Sequence, residues 1–137
     1  MNHILQESLV SYIESNTSQI HPYLQQVERN THLNVLQSHM VSGAYQAKLL
    51  QMLCQMIHAK KVLEIGTYTG FATLAFAEVI PENGKIITIE ADKEIHEKKK
   101  KNIDESPWKS KVVTYLSNAL KILPNILSEN DIDLVFI

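Results

Sequence analysis

The sequence predicts an α/β fold built on a parallel sheet. Three observations carry that prediction: short apolar runs alternate with amphipathic helical segments from residue 61 onward, a two-glycine turn follows the first run, and the second run ends on a carboxylate. The chain has 137 residues, 45% of them apolar, enough for a single domain with a real core. Charged residues make up 20% and the formal net charge is -2, so no global field points to nucleic acid or to an anionic membrane. No apolar run approaches the ~20 residues that span a bilayer, and Met1-Asn-His-Ile-Leu-Gln-Glu7 has neither a basic leader nor an unbroken apolar segment. The expected location is cytoplasmic. The single Cys54 lies in an apolar helical stretch and reads as a buried, inert thiol.

Along the chain, residues 4 to 15 place Ile4, Leu5, Leu9, Val10, Tyr12 and Ile13 at helical spacing. His21-Pro22 breaks the chain, and Pro22 suits the first turn of a second helix reaching to about Leu36. Ser42-Gly43 opens a third, with Leu49, Leu50, Leu53, Met56 and Ile57 as its apolar positions. Residues 1–58 thus form an N-terminal helical extension, and 59–137 the sheet. Within the latter the reading is strand 61–66, helix 70–80, strand 85–90, helix 92–105, strand 111–116, helix 119–128 and strand 132–137. Pro81-Glu-Asn-Gly84 and Ser106-Pro107 supply loop chemistry. Right-handed crossovers put helices on both faces. The run Lys98 to Lys101 reads as a solvated helix surface, because four successive residues point all round the axis.

In an open parallel sheet, ligands sit beyond the carboxyl ends of the strands, and Gly66 and Gly70 fall at such an end. Gly66 lets a ligand approach the main chain, and the helix starting near Gly70 offers free N–H groups to an anion. The spacing discriminates. Dinucleotide-binding turns use G-x-G-x-x-G with a middle glycine that seats a pyrophosphate, whereas Thr67-Tyr68-Thr69 fills this turn. Glu64 adds negative charge that a pyrophosphate would resist but an ammonium would welcome. S-adenosylmethionine, with its amino-acid end, satisfies both conditions. Glu90, closing the second strand, is placed to accept hydrogen bonds from ribose hydroxyls. The plainer readings are a solvated Glu90 at a strand exit and a Glu64 that caps nearby backbone N–H groups.

Val62-Leu-Glu-Ile-Gly-Thr-Tyr-Thr-Gly-Phe-Ala72 resembles the first motif of the S-adenosylmethionine-dependent O-methyltransferases of the catechol and caffeoyl-CoA type, bacterial members in particular. The resemblance extends back through His39-Met-Val-Ser-Gly-Ala-Tyr-Gln-Ala-Lys-Leu-Leu50 and forward through Gly84-Lys-Ile-Ile-Thr-Ile-Glu90, Ser117-Asn-Ala119 and Asp133-Leu-Val-Phe-Ile137, covering roughly residues 30 to 137. It implies a Rossmann-like class I methyltransferase fold. It further implies that Val41 and Ser42 close over the methionine part of the cofactor. Glu64, Gly66 and Thr67, with Tyr68 nearby, would line its amino-acid end. Glu90 would bind the ribose, and the backbone of Ala119 would meet the adenine. Ala72 stands where members usually carry a carboxylate-binding serine, Asn118 where they carry aspartate, and Ala47 where a glycine is common. The metal-binding aspartate, further metal ligands and a proton-accepting lysine fall, in the family, after the strand matching 132–137. The expectation is therefore that this chain carries the cofactor half, and that Mg2+ or a similar cation belongs to a longer protein.

The implied reaction is methyl transfer to a hydroxyl of a small, catechol-like acceptor, with a homodimer as the expected assembly. No catalytic base and no metal ligand is assigned: the six histidines show no metal-site spacing, and Asp131 and Asp133 read as solvated strand-entry residues. Three other readings stand beside it: a cofactor-binding or assembly module without activity, a nicotinamide-dependent oxidoreductase, and a transfer-RNA methyltransferase. In this topology the last strand lies beside the first and leaves an apolar edge open, which predicts marginal stability or self-association of the isolated chain.

Overall fold

A computed structural model describes residues 6–129 and 131–137. Three helices lead the chain: α1 (Glu7–Asn16), α2 (Pro22–Asn34) and α3 (Gly43–Met56), with a short 3-10 turn at Ser38–Met40 between the last two. Ile4 and Leu5, assigned above to the first helix, lie outside the described residues. Pro22 occupies the first turn of α2, and the His21 ring caps it by accepting from the Tyr23 N–H at 3.1 Å.

The alternating part follows as β1 (Lys61–Ile65), α4 (Phe71–Val79), β2 (Lys85–Glu90), α5 (Lys93–Asp104), β3 (Val112–Leu116), α6 (Ala119–Ile126) and β4 (Leu134–Phe136). All four strands pair in parallel in the order β3-β2-β1-β4. The expected neighbour relation of the last strand to the first therefore holds, and the strand order reverses between β1 and β4. Asp92 caps α5 by accepting from the Glu94 and Ile95 N–H groups at 2.8 and 3.2 Å. Asn118 caps α6 in the same way, accepting from Leu120 at 3.0 Å.

Strand alternation decides which face each side chain serves. Val62 and Ile86 point toward α3 and α4, joining Cys54, Phe76, Ala77 and Ile80 in one buried cluster. Leu63, Ile87 and Ile89 point the opposite way, onto α6 through Ala119, Ile122, Leu123 and Ile126. Helix α4 is apolar on all sides and has every residue from Phe71 to Ala77 buried, because it is enclosed between the sheet and the N-terminal helices.

Two expectations are corrected here. Lys98 to Lys101 is not a uniformly solvated surface: Lys99 has no exposed area. Ile95, Lys99 and Ile103 recur at a spacing of four, so Lys99 falls in the inward stripe of α5. Asp131 and Asp133 are not simply solvated either. Asp133 accepts the Lys60 and Lys61 N–H groups, each at 2.8 Å, which lowers its pKa, and Asp131 pairs with the Lys61 ammonium. Together they clasp the entry of β4 to the start of β1. Cys54 is buried as expected, and burial raises its pKa. Among the described residues no helix is long and apolar enough to cross a membrane.

Candidate functional site

A cavity of about 780 Å³ opens beyond the carboxyl ends of β1, β2 and β4, at the switch in strand order. This volume is within the usual range of small-molecule sites. Its floor comes from the β1–α4 turn. Gly66 has φ +93° and nothing within 4 Å of where a Cβ would stand, so this stretch of main chain faces open space. Gly70 has φ +85° as the residue before α4, and a Cβ there would meet Ile103 Cγ1 at 3.4 Å. The helix begins at Phe71, and Phe71 and Ala72 both line the cavity, so first-turn N–H groups that lack intrahelical partners lie at its edge.

Glu64 is the most unusual member of this lining. It has no exposed area, yet it ends one step short of the cavity floor on the α4 face of β1. The parallel register sets Thr88 directly beside it, and the Thr88 hydroxyl donates to Glu64 Oε2 at 2.6 Å. Thr73, on the first turn of α4, donates to the same oxygen. The second oxygen, Oε1, has no partner among the described residues. Burial pushes the Glu64 carboxyl up to about 7, against the pull of the two hydroxyls and of Lys99. A buried oxygen without a donor, on a wall of an open cavity, is a seat for a ligand N–H group.

Glu90 stands one strand over and two positions further along. Its Oε2 accepts the Tyr68 N–H at 2.9 Å, and its Oε1 accepts the Ala91 and Asp92 N–H groups at 2.9 Å. These bonds fix the carboxylate at the cavity wall and tie the β1–α4 turn to the end of β2. Tyr68 takes φ +52° and donates its hydroxyl to the Gln37 carbonyl at 2.9 Å. The turn is thereby joined to the 3-10 segment whose residues, with Val41 and Ser42, close the opposite side.

Of the residues singled out in the sequence, Val41, Ser42, Glu64, Gly66, Thr67, Tyr68, Ala72 and Glu90 all line this cavity. Three do not. Gly70 instead allows the close approach of α5. The Asn118 side chain is occupied as the α6 cap, and Ala119 packs on the far face of the sheet. Both remain at the same carboxyl edge, since the Ser117 N–H donates to the Glu90 carbonyl at 2.8 Å. Sequence reasoning missed Thr73, Thr88 and Lys99. The period-two alternation of β2 and the stripe at Ile95, Lys99 and Ile103 were the signals for the last two. Among the described residues no group of three His, Cys, Asp or Glu side chains is placed to hold a metal.

A protein-family model described as O-methyltransferase matches residues 14–137. The chain is 38% identical over 94 residues to a catechol O-methyltransferase of Niastella koreensis, covering 67% of this chain and 42% of that protein. It is 32% identical over 123 residues to catechol O-methyltransferase domain-containing protein 1 of Mus musculus, covering 90% of this chain and 47% of the relative. Among solved structures, it is similar to an O-methyltransferase from Streptomyces achromogenes in complex with SAM. That match has 26% identity and a TM-score of 0.80, with 96% of this chain and 61% of that one covered. An O-methyltransferase from Bacillus cereus in complex with SAH matches at 25% identity and a TM-score of 0.81, with 93% and 59% covered. The chain thus spans less than half the length of these two curated relatives.

Proposed function

From the premise that this chain belongs to the O-methyltransferase family, we propose that its cavity binds S-adenosylmethionine and that the protein methylates a hydroxyl of a small, catechol-like acceptor. The observation that carries the reading is the pair of carboxylates at the ends of adjacent strands: Glu64 buried with one unpartnered oxygen, Glu90 held rigid by three backbone N–H groups. They suit the two ends of one adenosine-containing ligand with a cationic head. The same chemistry disfavours a dinucleotide, whose pyrophosphate would meet the Glu64 carboxylate.

When bound, the cofactor supplies a methyl group activated by its sulfonium. The chain's own residues bind and orient. Glu64 Oε1 accepts from the ammonium, the first turn of α4 takes the carboxylate, and Gly66 leaves the main chain open to the amino-acid backbone. Glu90 would take a ribose hydroxyl on the one acceptor site, on Oε2, that its backbone donors leave free. Val41 and Ser42 cover the methionine part, and Asn118 and Ala119 lie on the adenine side. Such positioning supplies a large share of catalysis in a transfer between two otherwise poorly oriented partners. No residue described here is assigned as the base. Metal assistance, as the family resemblance implies it, is proposed for a longer protein.

Thermal-shift titration with S-adenosylhomocysteine and, in parallel, NAD tests the cofactor. A specific ligand at a hundred times its Kd stabilises the fold by about 2.7 kcal/mol. Stabilisation by S-adenosylhomocysteine alone is expected. Stabilisation by NAD alone would overturn the reading.

A further inference from the structure

Beneath the cavity floor a continuous hydrogen-bonded line runs from a buried cation to the buried carboxylate. Lys99 Nζ lies 3.1 Å from Thr67 Oγ1, Thr67 Oγ1 lies 2.6 Å from Thr88 Oγ1, and Thr88 Oγ1 lies 2.6 Å from Glu64 Oε2. All four side chains are buried. The direction of the line is fixed by its ends. An ammonium only donates and a carboxylate only accepts, so each hydroxyl between them accepts from the Lys99 side and donates toward Glu64. Each link polarises the next.

We propose that Lys99 is a positioning residue that acts on Glu64 through Thr67 and Thr88, holding the carboxylate charged and aimed so that its free oxygen receives the cationic head of the ligand. This rests on the cofactor reading above and deepens it. A lone buried carboxylate takes up a proton in place of paying its desolvation; a buried ammonium three hydrogen bonds away opposes that. The charged groups around the pair are few. Glu64 meets Thr73 from α4, Thr88 and Glu90 from β2, Phe136 in register on β4, and Lys99 from α5. Lys99 faces Glu64 and Glu90, with His96 one turn earlier on its own helix. One ammonium is thus set against two carboxylates, and a ligand ammonium at Glu64 Oε1 brings the site to balance. The shifts agree in sign: burial lowers the Lys99 ammonium to about 8 while the two glutamates hold it up, and Lys99 draws Glu64 down from where burial alone would put it.

The test is calorimetric binding of S-adenosylhomocysteine across about pH 5.5 to 9, for the full chain and for Lys99→Met and Thr88→Val. In the parent protein affinity climbs as Glu64 ionises. Lys99→Met removes the cation at matched volume and is expected to move the midpoint of that climb up by about one pH unit, with about fivefold weaker binding at pH 7, about tenfold well below it, and recovery at high pH. Thr88→Val cuts the line with Lys99 in place and shifts the midpoint in the same direction. The Glu64 carboxyl carbon, followed by NMR titration of the ligand-free protein, reads the same shift without any ligand. Folded Lys99→Met protein with an unmoved midpoint, or with a uniform loss of affinity at every pH, overturns the role of Lys99 alone. Failure of the parent protein to bind S-adenosylhomocysteine at any pH overturns the cofactor reading and this proposal with it.

Discussion

Glu64→Gln tests whether a binding group is being held at the expense of the fold. Glu64 ionises near 4.5 in the unfolded chain and near 7 in the folded one. The sign follows directly. Between those values the folded state keeps a proton that the unfolded state has released, so stability falls as pH rises through the window and stays low above it. The shift corresponds to about 3 kcal/mol. Glutamine keeps the shape and still accepts from Thr73 and Thr88, but it cannot ionise. Its amide places N–H donors where Glu64 Oε1 lies unpartnered, an offset of about 1–3 kcal/mol that does not vary with pH. Urea unfolding at acid and at mildly alkaline pH therefore separates the two effects. The variant is expected to gain up to about 3 kcal/mol on the parent between the two pH values, and to bind S-adenosylhomocysteine at least tenfold more weakly. Parallel stability curves for the two proteins across the window would refute the assignment of that cost to Glu64. Undiminished binding would refute its contact with the ligand.

Three further outcomes are expected. Gly84→Ala sets a Cβ 2.9 Å from the Lys60 carbonyl oxygen and from Ile80 Cδ1, and should lower stability by about 1–3 kcal/mol in a denaturant melt, with ligand affinity unchanged once folded. Asp133→Ala releases the Lys60 and Lys61 N–H groups, so hydrogen exchange at those two amides should quicken. Because its folded pKa is depressed, the stabilisation it removes is present above the usual aspartate range and fades as pH falls through the depressed value. Glu90→Ala frees the Tyr68, Ala91 and Asp92 N–H groups and removes the proposed ribose acceptor, and calorimetry should show a loss of at least tenfold in S-adenosylhomocysteine affinity.

The parallel sheet, the glycine turn and the acidic ends of two strands were legible because each is a local pattern. Alternation of short apolar runs with helices implies a parallel sheet, and the topology implied by the family resemblance puts β4 beside β1, where it lies. Gly66 and Glu90 were legible because a chain reversal and a strand end leave recognisable residue types. Eight of the eleven residues singled out for the cofactor line one cavity. Gly70 stands outside that lining, and the space its missing side chain leaves is taken by Ile103 of α5. The Asn118 side chain is taken up as a helix cap and the Ala119 side chain turns to the opposite face of the sheet, while both stay at the carboxyl edge beside Glu90.

Sequence by itself determined the order and type of the elements, the position of the turn and the identity of the two strand-end acids, since hydrophobic period and backbone stereochemistry act over neighbouring residues. Only the packed molecule decided which polar groups lose water together. Thr88 meets Glu64 through a β-register, and Lys99 meets Thr67 through the packing of α5 on the turn. Their distances along the chain are long, while the strength of a buried charge depends on who stands within a few ångströms of it. That is why a lysine that reads as surface in the sequence becomes the buried counter-charge of the site.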